Sequence, residues 1–361
     1  MPDVLDEAMW NIRWMRTMQD PADGGVYHKL TNAKFDAFVM PHEATTTRYV
    51  VQKGNAATLN FAAVMAHAST MVRRYPREFP GLADSLLTSA IAAWNWARLH
   101  PDSTYRQSRL QNPPVVTGGY EDRSVADERR WAAAELFLAT RQDSFLVAYP
   151  PVGDSALSVP TWNSVDALAH YSLLDRRREI GAKVDTAALR SRLLSLASSL
   201  RTDADTSAYG IPMVRRRDFA WGSSAVAANQ GIVLVQAHRL TGDSTYLRAA
   251  VGTLDYLLGR NATGYSFVTG FGSKRVMFPH HRPSGADGIV EPVPGFLSGG
   301  PNPQQQDRCP GYPSQLPALS FTDVQCSYAS NEIAINWNAP LAYLAAAIDA
   351  LYLPGGSPRG R

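Results

Sequence analysis

An all-α domain of paired helices is predicted from three observations. Apolar residues recur near the 3.6-residue period over most of the first two-thirds, strand-like alternation is scarce, and one block rich in Pro, Gly, Asn and aromatics interrupts the helices from Arg260 to about Ser330. Helical bundles, solenoids and toroids all satisfy this pattern. At 361 residues the chain is long for one ordinary domain, but helical-repeat and barrel folds reach that size, and 45% hydrophobic residues supply a core.

The first helix follows Pro2, carries Asp3, Asp6 and Glu7 early, and is expected to bury Val4, Ala8, Ile12 and Met15. Ala-rich amphipathic segments follow near 55–74, 83–98, 124–140, 162–176 and 186–200. Val226, Val233, Ala237 and Leu240 share one stripe. Leu247, Val251, Leu254 and Leu258 share another, with Gly259 placed as a left-handed cap. Asp84, Asp243 and Ser244 each precede a periodic run, as N-caps do.

The last helix contains Trp337, Leu341, Leu344, Ile348 and Leu351. Proline is excluded from a helix interior, so this helix is predicted to start near Asn338 with Pro340 in its first turn. Glu332 then lies just before it, on an irregular segment able to face a cleft. An irregular stretch of ~70 residues is unusual in a compact domain unless it builds a functional surface, so 260–330 is read as the binding face. Residues 1–353 form the domain on this reading, and the Pro/Gly-rich tail 354–361 is expected to be disordered.

Charge and composition exclude several classes. The formal net charge is only +3, and the densest basic runs, Arg176-Arg177-Arg178 and Arg215-Arg216-Arg217, sit beside acidic neighbours, so no nucleic-acid partner is expected. No apolar run approaches the ~18 residues of a membrane span, and the first residues carry no secretory leader pattern. The only cysteines, Cys309 and Cys326, suit either a loop-closing disulfide or two free thiols, and a zinc site has too few sulfur ligands. Oligomeric state has no signal in the sequence.

Two clusters carry the chemistry. The first runs Ser266-Phe267-Val268-Thr269-Gly270-Phe271-Gly272-Ser273-Lys274 and continues to Pro279-His280-His281-Arg282-Pro283. The second is Phe321-Thr322-Asp323, then Tyr328, then Asn331-Glu332-Ile333-Ala334-Ile335-Asn336-Trp337-Asn338-Ala339. Together they resemble the paired signatures of family 9 glycoside hydrolases, the family of many endoglucanases. Pro2–Gln19, Gly118-Gly119-Tyr120, Trp131–Leu136, Trp221–Ser224 and Tyr256–Asn261 extend the resemblance along essentially the whole chain, in family order.

The resemblance implies an (α/α)6 barrel whose irregular loops 260–330 form the cleft, and inverting hydrolysis of β-1,4-glycosidic bonds in cellulose or related β-glucans. Inversion uses two carboxyl groups roughly 6.5–9.5 Å apart, one protonated and one activating water. By motif position Glu332 is the general acid, and Tyr328, Ile333 and Trp337 around it can desolvate its carboxyl. Asp323 matches the acidic position of the second signature, with loop or acid orientation expected of it ahead of direct proton transfer. His280 and Arg282 match the family's substrate-binding pair, whereas His281 is expected to order the loop. Tyr120, Trp162 and Tyr328 are expected to stack sugar rings, with Trp131 and Trp221 as further candidates. No cofactor is expected; calcium occurs in some relatives, and no acidic loop here demands it.

One departure qualifies this expectation. The family's base stands in an Asp-Ala-Gly-Asp motif ahead of the segment resembling Pro2–Gln19, and no Asp-Ala-Gly-Asp occurs in this sequence. The expectation is therefore a catalytic domain incomplete at its N-terminus, part of a protein secreted or periplasmic in full length. The alternatives are an exo-acting β-glucosaminidase or cello-oligosaccharide hydrolase, and a catalytically silent glycan-binding relative.

Overall fold

The computed structural model describes residues 2–153 and 156–352, so the tail expectation lies outside the described residues. The chain divides into two compact units: Met1–Asp36, Thr46–Ala156 and Asn163–Arg190 in the first, and Ala37–Thr45, Leu157–Trp162 and Ser191–Arg361 in the second.

The first unit holds α1 (Asp3–Thr17), a two-stranded antiparallel sheet of β1 (Leu30–Asn32) and β2 (Arg48–Val50), α2 (Asn55–Val72), α3 (Leu82–Leu99) and α4 (Ala126–Thr140). The shorter α5 (Ser144–Ala148), α6 (Asp166–Asp175) and α7 (Arg177–Ile180) complete it. Helix α2 packs against α3 and α4, and α4 against α5 and α6. Ala62, Ala63 and Ala66 of α2 are fully buried, small enough for close helix approach, while Leu59, Phe61, Met65, Leu86, Phe137 and Leu173 fill the core. Three of these helices meet at one polar group: the buried Glu135 carboxylate accepts from His67 Nδ1 at 3.1 Å, from Trp131 Nε1 at 3.2 Å and from the Ser172 hydroxyl.

Two local expectations are corrected here. Helix α1 buries Met9 and Ile12 with Leu5 and Met15 half-covered, while Val4 and Ala8 are exposed. Spacing permits either the Val4/Ala8 or the Leu5/Met9 edge, and the larger side chains gain more from burial. Helix α3 begins at Leu82 after Gly81 (φ +71°), so Asp84 is a first-turn residue paired with Arg73 at 2.7 Å rather than a cap.

Helix α8 (Thr186–Thr206) begins in the first unit and continues into the second, which also holds α9 (Ser223–Thr241), α10 (Ser244–Leu257), α11 (Arg282–Ala286), α12 (Tyr328–Asn331) and α13 (Ile335–Tyr352). Helix α9 packs against both α10 and α13. Its Ala227, Ala228, Val233, Leu234, Val235 and Ala237 are inaccessible to solvent, so it is covered over most of its circumference. Asp243 caps α10 as expected, accepting from the Thr245 backbone N–H at 2.8 Å. The buried stripe of α10 is Tyr246, Ala249, Ala250, Thr253, Tyr256 and Leu257; the expected stripe lies at its edge, with Leu258 exposed. Gly259 follows the C-cap with φ +121°, positive but outside the αL well expected of it.

Helix α13 starts at Ile335, not Asn338, which puts Pro340 in its second turn. The proline forfeits one backbone donor, yet Trp337, Leu341, Leu344 and Ile348 bury the same face on both sides of it. Cys309 and Cys326 form a disulfide with Cα atoms 5.7 Å apart, which settles their pairing. Among the described residues no helix is long and apolar enough to cross a membrane.

Candidate active site

The second unit brings Glu332, Asp323, His280, Arg282 and Tyr328 together on the ends of three irregular segments. His280 forms a parallel bridge with Glu332, its backbone N–H donating to the Asn331 carbonyl at 2.8 Å. On the other side Ser298 pairs with Ile333, and the Gly299 N–H donates to the Glu332 carbonyl at 3.0 Å. Glu332 itself is extended (φ −68°, ψ 153°) between α12 and α13. The adjoining Gly300 has φ +84°, and a Cβ there would fall 2.9 Å from the Ser224 backbone nitrogen, so only glycine lets this segment meet the start of α9.

Asp323 ties the two sequence clusters to each other. Its carboxylate accepts from the backbone N–H groups of Met277 (2.8 Å) and Phe278 (2.9 Å) and from Asn331 Nδ2 (3.1 Å). Asn331 Nδ2 also donates to the Phe278 carbonyl at 2.7 Å. Asp307 performs a parallel task for α12, accepting from Cys309 N, Ala329 N, the Tyr312 hydroxyl and Ser327 Oγ at 2.8–3.0 Å.

Around Glu332 the side chains form an aromatic row. Trp221, just before α9, donates its indole N–H to Glu332 Oε2 at 3.1 Å. Its ring lies 5.3 Å from that of Tyr328, and Tyr328 lies 5.9 Å edge-on from His280. Phe38 packs edge-on against His280 at 5.2 Å and lies 5.8 Å beneath the Arg282 guanidinium. Burial pushes the Glu332 carboxyl above the usual range, opposed by the Trp221 hydrogen bond and the charge of Arg282.

Burial also lowers the His280 pKa, with Arg282 adding to the effect and a bond to Gln325 resisting it. His280 Nδ1 sits 2.7 Å from the Gln325 carbonyl, which can only accept. Nδ1 therefore carries the hydrogen, leaving Nε2 of the neutral ring as an acceptor. His281 Nδ1 instead accepts from the Ser284 backbone N–H and caps α11.

The stacking candidates divide between the units. Tyr328 and Trp221 flank Glu332, and Trp162 belongs to the same unit with 49% of its surface exposed. Tyr120 lies in the first unit at φ +53° and is exposed, and Trp131 lies in α4 with its indole on Glu135. Phe38 was not found by sequence reasoning because no motif or period marks it. Trp221 is marked in the sequence as part of a family-like Trp-Gly-Ser-Ser segment and as a stacking candidate, whereas its contact with Glu332 appears only in the fold. Among the described residues no group of three or more His, Cys, Asp or Glu is placed to hold a metal ion.

What this arrangement offers is a desolvated carboxyl that keeps a proton above the ordinary range, beside a neutral imidazole, a guanidinium and aromatic faces. That set can donate a proton to an ether oxygen and hydrogen-bond polyhydroxylated rings.

The sequence model of Glycosyl hydrolase family 9 matches residues 1–345. A curated relative, a xyloglucan-specific endo-beta-1,4-glucanase of Bacteroides ovatus, is 43% identical over 357 residues, covering 97% of this chain and 61% of its own. A solved structure described as Bacteroides ovatus GH9 superposes with a TM-score of 0.91 at 41% identity, covering 97% of this chain and 63% of that one. Another, AaCel9A in complex with cellobiose-like isofagomine, gives 0.87 at 33% identity, covering 97% and 66%. The chain thus spans less than two thirds of the length of each of these relatives. The fold class is all-α of the (α/α)6 type, as the resemblance implied.

Proposed function

Because this chain belongs to glycosyl hydrolase family 9, we propose that Glu332 is the general acid of an inverting β-1,4-glucan hydrolysis and that His280, Arg282 and Tyr328 bind the sugar beside it. The observation that carries this reading is the environment of Glu332. Burial holds its carboxyl above the usual carboxylate range, the direction a general acid requires. The proton passes to that oxygen, the bond from C1 breaks with its electron pair going to the leaving sugar, and water adds to the opposite face, its spare proton going to the second carboxylate that inversion requires. His280 Nε2 accepts from a sugar hydroxyl, the Arg282 guanidinium donates to one, and the aromatic row of Trp221 and Tyr328 offers ring faces.

The relative's name makes xyloglucan the first substrate to try, with cellulose, cello-oligosaccharides and chitosan oligomers as comparisons that separate endo-glucanase from exo-glucosaminidase action. Inversion is read directly by proton NMR of the newly formed anomer, and a product of retained configuration contradicts it. A second reading is a glycan-binding relative that holds its ligand in the same cleft, favoured by the aromatic row and the hydrogen-bonding His280 beside Glu332. On that reading residues 1–361 bind glucan oligosaccharides without turnover, and calorimetric binding with no product release over days identifies it. The disulfide supports a location outside the cytoplasm. Thiol trapping in intact source cells, with Cys309 and Cys326 found reduced, contradicts that placement.

A further inference from the structure

Resting on the reading of Glu332 as the acid, we propose that Trp221 is a positioning residue that selects which oxygen of Glu332 carries the proton: its indole N–H occupies Oε2 and leaves Oε1 to protonate the leaving oxygen. The indole nitrogen is a donor only, and it lies 3.1 Å from Oε2. A neutral carboxyl has one hydroxyl and one carbonyl oxygen, and the carbonyl oxygen is the better acceptor. Oε2 is therefore the carbonyl oxygen, and the proton resides on Oε1.

The same bond changes strength during the reaction. Once the proton leaves Oε1, negative charge spreads to Oε2, and the N–H···O contact becomes charge-assisted, roughly twice as strong as its neutral form. An interaction that strengthens as charge develops stabilises the transition state more than the bound substrate. Burial raises the Glu332 carboxyl, and the indole N–H opposes it by stabilising the carboxylate, so the two effects act against each other on one group.

Backbone geometry holds donor and acceptor to each other. The Ser224 N–H donates to the Gly299 carbonyl at 3.0 Å, and the Gly299 N–H donates to the Glu332 carbonyl at 3.0 Å. Trp221 and Glu332 are thus fastened to the same short segment. Between Trp221 and α9, Gly222 has φ +83°, and a Cβ there would fall 2.7 Å from Trp337 Nε1, so the chain can turn this tightly only with glycine. Trp221 is itself 43% exposed, so removing its N–H leaves the core intact.

Two variants test this in the full chain: Trp221→Phe, and β-(3-benzothienyl)alanine at position 221, which exchanges the N–H for sulfur while keeping the bicyclic ring. The primary readout is the titration of the Glu332 carboxyl by carbon-13 NMR, assigned with Glu332→Gln. Both variants are expected to move it upward with an unchanged melting temperature. A titration identical to the parent in both overturns the proposal. Where turnover is measured, kcat on an alkyl β-cellobioside is expected to fall about tenfold in both variants, whereas any loss of the sugar-facing ring appears in KM and is larger for Trp221→Phe than for the bicyclic analogue. On 2,4-dinitrophenyl β-cellobioside, whose leaving group needs no proton, kcat is expected to fall far less than on the alkyl substrate, because only the ring face and not the proton transfer is altered. Equal losses on both substrates overturn the proposal. Failure of the acid reading shows separately, as a Glu332→Gln variant that still cleaves the alkyl substrate.

Discussion

Asn331 Nδ2 donates to Asp323 Oδ1 at 3.1 Å, one residue before Glu332, so the neighbour of Glu332 is bonded to the aspartate that also collects the N–H groups of Met277 and Phe278. Two stretches of chain far apart in sequence are joined at this carboxylate. Their joining aligns His280 and Glu332, which bridge two residues beyond Phe278 and one beyond Asn331.

Asp323→Ala removes the acceptor for three donors. Each unsatisfied donor costs about 1–3 kcal/mol, reduced where water reaches it, so a net loss of roughly 2–4 kcal/mol is expected in urea unfolding. Oligosaccharide affinity should fall as well, because His280 loses its alignment. A variant with the parent's midpoint and affinity contradicts the hub role.

How much of this was legible beforehand differs from residue to residue. Helix spans came through well, because Ala-rich 3.6-residue periodicity survives tertiary packing. Which face turned inward did not: α1 offers two apolar edges, and only the partner surface chooses Leu5/Met9 over Val4/Ala8. The start of α13 was misplaced because proline is costly inside helices, and the buried residues on either side of Pro340 outweigh that cost. Glu332, His280 and Arg282 were singled out through motif order, and the fold brings them together. Phe38 was not, since it reaches them only through folding.

Phe38→Ala should weaken cello-oligosaccharide binding several-fold. The ring supplies an edge contact to His280 and a face to Arg282, each worth about 0.5–1 kcal/mol at a partly exposed site. Isothermal titration calorimetry checks this, with Phe38→Tyr expected to retain affinity. Equal binding by Phe38→Ala shows that the ring positions neither residue.

Glu128, at the start of α4, predicts how stability depends on pH. Burial, with the adjacent Asp127 carboxyl, pushes it from 4.5 to about 9. The folded protein holds this proton up to about pH 9, whereas the unfolded chain releases it near the ordinary value, so folding binds a proton across that window. Its contribution is fully present below about pH 4.5 and is lost as pH rises through about 9. Glu128→Gln should flatten the alkaline decline in melting temperature, and an unchanged profile contradicts the assignment.

Reduction of Cys309–Cys326 should lower stability by about 3 kcal/mol, the loop-closure value for a loop of this length. The effect should reach the site, because Gln325, next to Cys326, holds His280 Nδ1. Denaturation and oligosaccharide titration with and without dithiothreitol measure both. Loss of stability with full affinity separates the loop from the site.

The most direct test of the acid assignment compares Glu332→Gln with the parent on two substrates. On an unactivated β-1,4-oligosaccharide, which needs a proton at the leaving oxygen, turnover should fall ~100-fold or more. On 2,4-dinitrophenyl β-cellobioside it should change little. Turnover of the oligosaccharide by Glu332→Gln above about a tenth of the parent rate would contradict Glu332 as the general acid.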